Sequence, residues 1–156
     1  MIDLKFLGRG SAFNTKEGNT SAYFIKDNTL FLIDCGETIF TKIKEKDLIN
    51  DNVNEVIILI THFHSDHIGS LPSLIMYCYY CKNIKCKIYY PNLVSITKLL
   101  NSQGCIGLYD YIETSDILNK YNINILAEKI THVKEITSYY YKIADEDNII
   151  MYTGDT

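Results

Sequence analysis

The chain has 156 residues, 47% of them hydrophobic, and a formal net charge of −4. That length allows one domain with a real core, and the absence of any run of five like charges excludes a basic tail for nucleic acid or an acidic interaction tail. Arg9 is the single arginine among 15 basic residues, which argues against a broad phosphate-reading surface, because arginine is the usual bidentate phosphate reader.

Residues 2–7 alternate Ile2, Leu4 and Phe6 against Asp3 and Lys5, so the chain opens on a predicted strand. The same segment lacks the long apolar stretch and small-residue cleavage site of a signal peptide. Three glycines and many small polar residues between Gly8 and Thr20 make a loop. Residues 21–26 and 29–34 form a hairpin across Asp27-Asn28, with Asp34 at the exit of its second strand. A helix follows from Glu37 to about Asp47, with Ile39, Phe40 and Ile43 on one face. The apolar run Val56-Ile57-Ile58-Leu59-Ile60 belongs to a buried strand over 55–61. Next come a helix over 70–81 with Pro72 in its first turn, a strand over 86–90, a helix over 92–102 and a broken helical segment over 108–119. Strands are predicted at 122–127, 138–143 and 148–153, the last two joined across residues 145–148. Strands and helices alternate without a linker or a repeat, so the chain is one mixed α/β unit. No apolar run approaches the roughly 20 residues of a membrane span. The five cysteines, an odd number, fit a reduced cytoplasmic protein better than a disulfide framework.

All four histidines occupy positions with a chemical reading. His62, His64 and His67 fall in Thr61-His62-Phe63-His64-Ser65-Asp66-His67, directly after the buried strand. Imidazole nitrogen and carboxylate oxygen are ligands of zinc and related divalent metals. In extended backbone, residues two apart point to one side, so His62 and His64 can grip one ion. Asp66 and His67 follow as the chain turns toward a helix and offer donors to a neighbouring ion, an arrangement for a metal pair. His132, alone after Thr131, would ordinarily be a surface residue. A metal held by His62 and His64 needs a third protein ligand, however, and the chain has no other histidine to supply it. Asp34 ends the strand Leu30-Phe31-Leu32-Ile33 and is either a turn former or an acceptor that orients a ligand imidazole. Asp155, in Thr153-Gly154-Asp155-Thr156, stands at another strand exit, where its oxygen could bridge two metals. The carboxylates assigned to catalysis are Asp66, close to the ions, and Asp34, through orientation.

Other features read as structural. Cys78, Cys81 and Cys86 sit in a helix-forming, apolar neighbourhood and are expected to be packing residues. The thirteen tyrosines fit strand propensity and core packing. Arg9 and Lys16, in the first loop, are read as solvated, with contact to an anionic substrate as the alternative.

On these residues the chain resembles the metallo-β-lactamase fold superfamily, and most closely its ribonuclease Z-like branch. The resemblance is carried by Leu32-Ile33-Asp34-Cys35-Gly36, the His62/His64/Asp66/His67 cluster, His132, Gly154-Asp155-Thr156, and the opening Phe6-Leu7-Gly8-Arg9-Gly10-Ser11-Ala12. It implies an αββα sandwich with a metal centre at one edge. It also implies one or two zinc ions, with manganese or iron as alternatives, and hydrolysis by a metal-bound hydroxide. By family position, His62, His64 and His132 hold one metal, Asp66 and His67 the other, and Asp155 bridges both. The family pattern has a further histidine and further strands and helices beyond Gly-Asp-Thr, whereas this sequence stops at Thr156. The expectation is therefore a single, C-terminally incomplete domain comprising the N-terminal half and the start of the second half. The expected substrate is a small-molecule or nucleotide-type ester. Charge gives no support for nucleic acid, no membrane association is expected, and exposed apolar surface predicts a homo-oligomer. The alternative is a truncated, non-catalytic metal-binding remnant.

Overall fold

The computed structural model describes residues 1–155. Thr156, the last residue of the Gly-Asp-Thr motif, lies outside the described residues. Six strands, β1 (Lys5–Gly8), β2 (Ser21–Lys26), β3 (Thr29–Ile33), β4 (Glu55–Leu59), β5 (Cys86–Tyr89) and β6 (Tyr109–Tyr111), form one sheet in chain order. The first three pair antiparallel, and β3 to β6 pair parallel. Asp27 and Asn28 both have positive φ, 49° and 59°, as a two-residue turn of type I′ requires. Lys26 pairs with Thr29 across that turn.

The middle of the sheet is covered on both faces, which is why β3 and β4 read as continuous apolar runs. Leu30, Leu32, Val56, Ile58 and Ile60 face one core, and Phe31, Ile33, Ile57 and Leu59 face the other. Each fully buried side chain of this size contributes roughly 1.5–3 kcal/mol by leaving water. Helices α1 (Ile39–Glu45), α3 (Leu71–Lys82) and α4 (Leu93–Ser102) close the first core. In α3 the buried residues Leu71, Leu74, Ile75 and Cys78 make a single stripe at helical spacing. The second core is closed by α5 (Thr114–Tyr121) and a three-stranded antiparallel sheet of β7 (Asn124–Val133), β8 (Ile136–Ala144) and β9 (Ile149–Tyr152). A short helix, α2 (Ser65–Ile68), stands between β4 and α3. Helix, sheet and sheet thus form three stacked layers.

Three segments depart from the sequence reading. Residues 108–119 are not one broken helix. Tyr109–Tyr111 adds an edge strand to Cys86–Ile88, and α5 starts only at Thr114. Tertiary pairing decides there, since tyrosine fits a pleated edge well. The strand expected at 122–127 starts at Asn124, after Asn122 ends α5 in the left-handed conformation, and continues to Val133. It therefore carries His132. The first strand begins at Lys5, not residue 2. No helix among the described residues is long and apolar enough to cross a membrane.

At the start of β4, far along the strand from its histidine-bearing exit, Glu55 receives Lys87, Lys120 at 2.5 Å and the Tyr121 hydroxyl. Burial opposes its ionisation, yet hydrogen bonds from Lys120, Lys87 and Tyr121 hold its carboxyl down to about 2 from an ordinary 4.5. Below pH 4.5 the unfolded chain takes up a proton that the folded chain refuses, so this contribution is present above pH 4.5 and is lost as pH falls toward 2. Acid titration of the unfolding midpoint should show Glu55→Gln flattening the profile between pH 4.5 and 2. A profile identical to that of the parent protein would mean the network is immaterial to folding.

Candidate metal centre

The sequence-predicted residues collect at the C-terminal edge of the parallel strands. Asp34 leaves β3 and residues 60–67 leave β4, and parallel pairing of Ile33 with Leu59 puts the two exits side by side. Asp34 is fully buried and has φ of 62°, a left-handed conformation that aspartate tolerates better than most residues. Its Oδ1 accepts the Thr61 N–H at 2.8 Å, and its Oδ2 accepts the Thr61 hydroxyl at 2.8 Å and the His67 ring at Nδ1, also 2.8 Å. A carboxylate with three donors is a satisfied buried group.

That contact fixes the His67 ring. With Nδ1–H donated to Asp34, Nε2 is left facing the cluster, 3.4 Å from Asp66 Oδ2 and 3.3 Å from Asp155 Oδ1. It is buried and has no hydrogen-bond partner. Burial acts to lower the His67 pKa, but the Asp34 hydrogen bond and the charges of Asp34, Asp155 and Asp66 outweigh it and raise it. His62, fully buried, is displaced the other way. Burial, followed by the neighbouring imidazoles of His67, His64 and His132, pushes it down to about 3.

Two overlapping donor groups result. His62, His64 and His132 form one, and His62, His67 and Asp155 form the other, each with ligand atoms within 4.8 Å of one another. His62 Nε2 lies 3.0 Å from His64 Nδ1, and His132 Nε2 lies 3.2 Å from the same atom. Neutral imidazole nitrogens this close repel through their lone pairs unless a proton or a cation sits among them. Together with the orphaned His67 Nε2, the donor set fits a borderline divalent cation such as zinc. Asp66, 5% exposed on α2, belongs to neither group but stands against His67.

The second sheet delivers the distant members. In β7, Ile125 and Ala127 point into the core, and strict alternation would turn Thr131 inward and His132 away. The register with β8 slips by one residue between Ile130 and Val133. Such a bulge re-aims the following side chains, and His132 meets His64. Asp155 follows Gly154, whose φ is 61°, at the exit of β9. A cavity of about 360 Å³ opens over the cluster, lined by Ala12, Phe13, His64, Ser65, Asp66, His132, Val133 and Asp155. Arg9 and Lys16 line a different cavity with Lys42 and Lys46, one that shares no residue with it.

The family model described as Anti-Pycsar protein Apyc1 matches residues 2–156. The chain belongs to that family. The Anti-Pycsar protein Apyc1 of Bacillus phage BSP38 is 28% identical over 98% of this chain and 68% of its own length. Ribonuclease Z of Clostridium tetani is 41% identical, but over only 48% of this chain and 24% of that protein. Among solved structures, the metallo-β-lactamase fold protein YhfI of Bacillus subtilis matches with a TM-score of 0.73 at 19% identity, covering 99% of this chain and 63% of YhfI. The short form of human tRNase Z matches with a TM-score of 0.70 at 20% identity, covering 99% of this chain and 69% of its own. The chain therefore has the metallo-β-lactamase fold, and it spans about two thirds of the length of these full-length matches.

Two residues that shape the centre of this Apyc1-family chain were not singled out from sequence. Thr61 bridges Asp34 and lies 3.0 Å from His62 Nδ1. Gly36 lies so close to the α2 backbone that a Cβ there would fall 1.8 Å from Asp66 O. Around it, Cys35 N–H donates to His67 O at 2.7 Å and Ser70 N–H to Cys35 O at 3.1 Å. The glycine after Asp34-Cys35 was the available signal, because glycine at a strand exit marks close backbone approach. Cys78 and Cys86 are buried and behave as the packing residues expected, but Cys81 does not, because it lies on the exposed side of α3. No cysteine joins a donor group among the described residues, and burial pushes the Cys35 thiol up to about 12.

Gly36→Ala should push α2 away and weaken zinc binding. Asp34→Asn should do the same by placing an amide N–H₂ against donors, with a loss of about 10–100-fold in affinity, as for other partners that orient ligands. Calorimetric zinc titration checks both. Unchanged affinity in Asp34→Asn would mean that Asp34 supports the fold and not the centre.

Proposed function

We propose that the chain is a metal-dependent phosphodiesterase acting on small, nucleotide-type phosphodiesters. The observation that carries this reading is the pair of donor groups sharing His62 beneath an open cavity. In support, relatives in sequence include a zinc phosphodiesterase, the ELAC protein 1 of Bos taurus, 30% identical over 71% of this chain and 28% of its own length. His62, His64 and His132 would hold one ion, and His67 and Asp155, with Asp66 beside them, a second. Zinc fits the donors best, with manganese or iron as alternatives. A divalent ion there supplies Lewis acidity toward a phosphoryl oxygen and a nucleophilic water near neutral pH.

The protein's own groups do the rest. Asp34 holds His67 in one tautomer and ring orientation through Nδ1. Asp66, which is among the residues lining the cavity, would take up the proton given up by the attacking water. Buried His62 stays neutral over the working pH range, so it remains a donor. The free cysteines fit a reducing compartment, and we place the chain in the cytoplasm as one domain.

Bis(p-nitrophenyl) phosphate, assayed with zinc or manganese and again with chelator, tests the reading. Turnover should appear with metal and vanish with chelator. Loss of an orienting partner alone costs about 10–100-fold, so His64→Ala should lower turnover by more than about 100-fold. Cys81→Ser, on the exposed side of α3, should leave it unchanged. Turnover that survives chelation would sink the proposal. The second reading, a metal-binding module without turnover, is favoured by one observation: the two groups share His62, so an ion held by His62, His64 and His132 leaves the second group only His67 and Asp155 among the described residues. Zinc binding with no hydrolysis of any diester would establish it.

We also propose that the chain self-associates through the outer face of its second sheet. Ile149 and Met151 alternate outward on β9, 64% and 61% exposed, and Leu126 on β7 is 47% exposed. These three side chains surround Lys142, which pairs between Leu126 and Met151; grouped apolar exposure of this kind marks an association surface, which a second copy of the same sheet would cover. Light scattering should give a mass above that of one chain, reduced by Met151→Lys. A monodisperse monomer would refute the proposal.

A further inference from the structure

We infer that Phe13 is a specificity-determining residue, a platform for the planar organic group of a diester whose phosphate lies at the histidine cluster. Phe13 is 96% exposed, an unfavourable place for a large aromatic ring that packs on nothing in its own chain. It is nevertheless held in position. Asn14 N–H donates to Ser11 O at 3.0 Å, closing a four-residue turn with Phe13 in its third position. Gly10 N–H donates to Gly18 O at 2.7 Å, and Gly18 N–H to Asn14 O at 3.1 Å. The Thr20 hydroxyl ties the loop to Gly10 O at 3.0 Å. The ring therefore stands on a braced turn.

The cavity shows what the ring faces. Phe13 and Val133 line the same space of about 360 Å³ as His64, Asp66, His132 and Asp155. Val133, 38% exposed, ends the bulged stretch that aims His132. One part of the lining is thus metal-ligating and the other apolar. That volume is at the lower end of the about 300–1,000 Å³ usual for small-molecule sites. No lysine or arginine lines it, so a polyanion would find no cation there besides the ion. A diester bearing one phosphate and one flat, uncharged ring system matches both parts, the ring stacking on Phe13. Stacking on an aromatic side chain tolerates any base, because every base has a π-face.

The inference rests on the phosphodiesterase reading for its chemistry but not for its binding, and the experiment separates the two. Thymidine 5′-(p-nitrophenyl phosphate) and methyl p-nitrophenyl phosphate share a leaving group and differ in the group that would meet Phe13. The parent protein should favour the nucleoside diester in kcat/KM, and Phe13→Ala should cut that preference by about tenfold, whereas Phe13→Tyr should keep it. Calorimetric titration of zinc-loaded protein with thymidine 5′-monophosphate and with methyl phosphate should show the same preference and the same loss. Unfolding midpoints of the variants should match the parent, since the ring is outside both cores. If diesters are hydrolysed and neither preference responds to Phe13→Ala, the inference is wrong and the phosphodiesterase reading stands. If nothing is hydrolysed but the binding preference depends on Phe13, the reading falls and the platform stands.

Discussion

One buried carboxylate constrains the centre of this molecule. Asp34 has no water to solvate it, so its oxygens must be satisfied by protein donors, and an unpaired buried charge would be expensive. Thr61 N–H, the Thr61 hydroxyl and the His67 ring supply them. Meeting that demand requires β3 and β4 to end at the same level, the chain to turn at Thr61, and His67 to come back over Asp34. The parallel register of β3 with β4 provides the first condition. The close approach of Gly36 to the α2 backbone provides the last. The ligand cluster is then a consequence of satisfying Asp34, because the same turn that brings His67 to Oδ2 carries His62, His64 and Asp66 with it.

The second sheet completes what the first begins. Tyr141, fully buried, donates its hydroxyl to Ile60 O at 2.6 Å, and Tyr139 N–H donates to Thr61 O at 3.0 Å. These bonds fasten β8 to the segment that opens the histidine motif. The neighbouring strands β7 and β9 therefore end at the same edge and bring His132 and Asp155 to it. The bulge before Val133 is a local departure from regular pairing that makes sense only at this place, since it turns His132 toward His64.

What could be read from sequence follows the range of the interaction. The central strands were legible because burial on both faces writes itself as an unbroken apolar run, and α3 because Pro72 marks the first turn of a long apolar segment. The histidine motif was legible because its members are neighbours in the chain. Asp34, His132 and Asp155 were reachable only by chemical need and resemblance. What joins them to the cluster is a parallel register, a bulge and a left-handed glycine at three separate places. The segment over 108–119 was misread because its strand exists only by pairing with β5. Gly36, Thr61 and Phe13 were passed over because contact distance and exposure, not residue type, give them their roles.

The centre is assembled against its own electrostatics. Four imidazoles are crowded together, with the His62 ring 4.0 Å from that of His67 and 4.8 Å from that of His64. Burial first, and then these neighbours, make His62 refuse a proton down to about pH 3. Between pH 6.5 and 3 the unfolded chain binds a proton there that the folded chain does not, so His62 lowers stability as the solution is acidified. The rest of the fold carries that cost through two apolar cores, and the far end of the same strand is secured by the Glu55 network. In the proposed metal-binding role, a cation among these imidazole nitrogens would offset their mutual repulsion. Relief of that kind is affinity, because a ligand that binds only the folded state stabilises it in proportion to its occupancy.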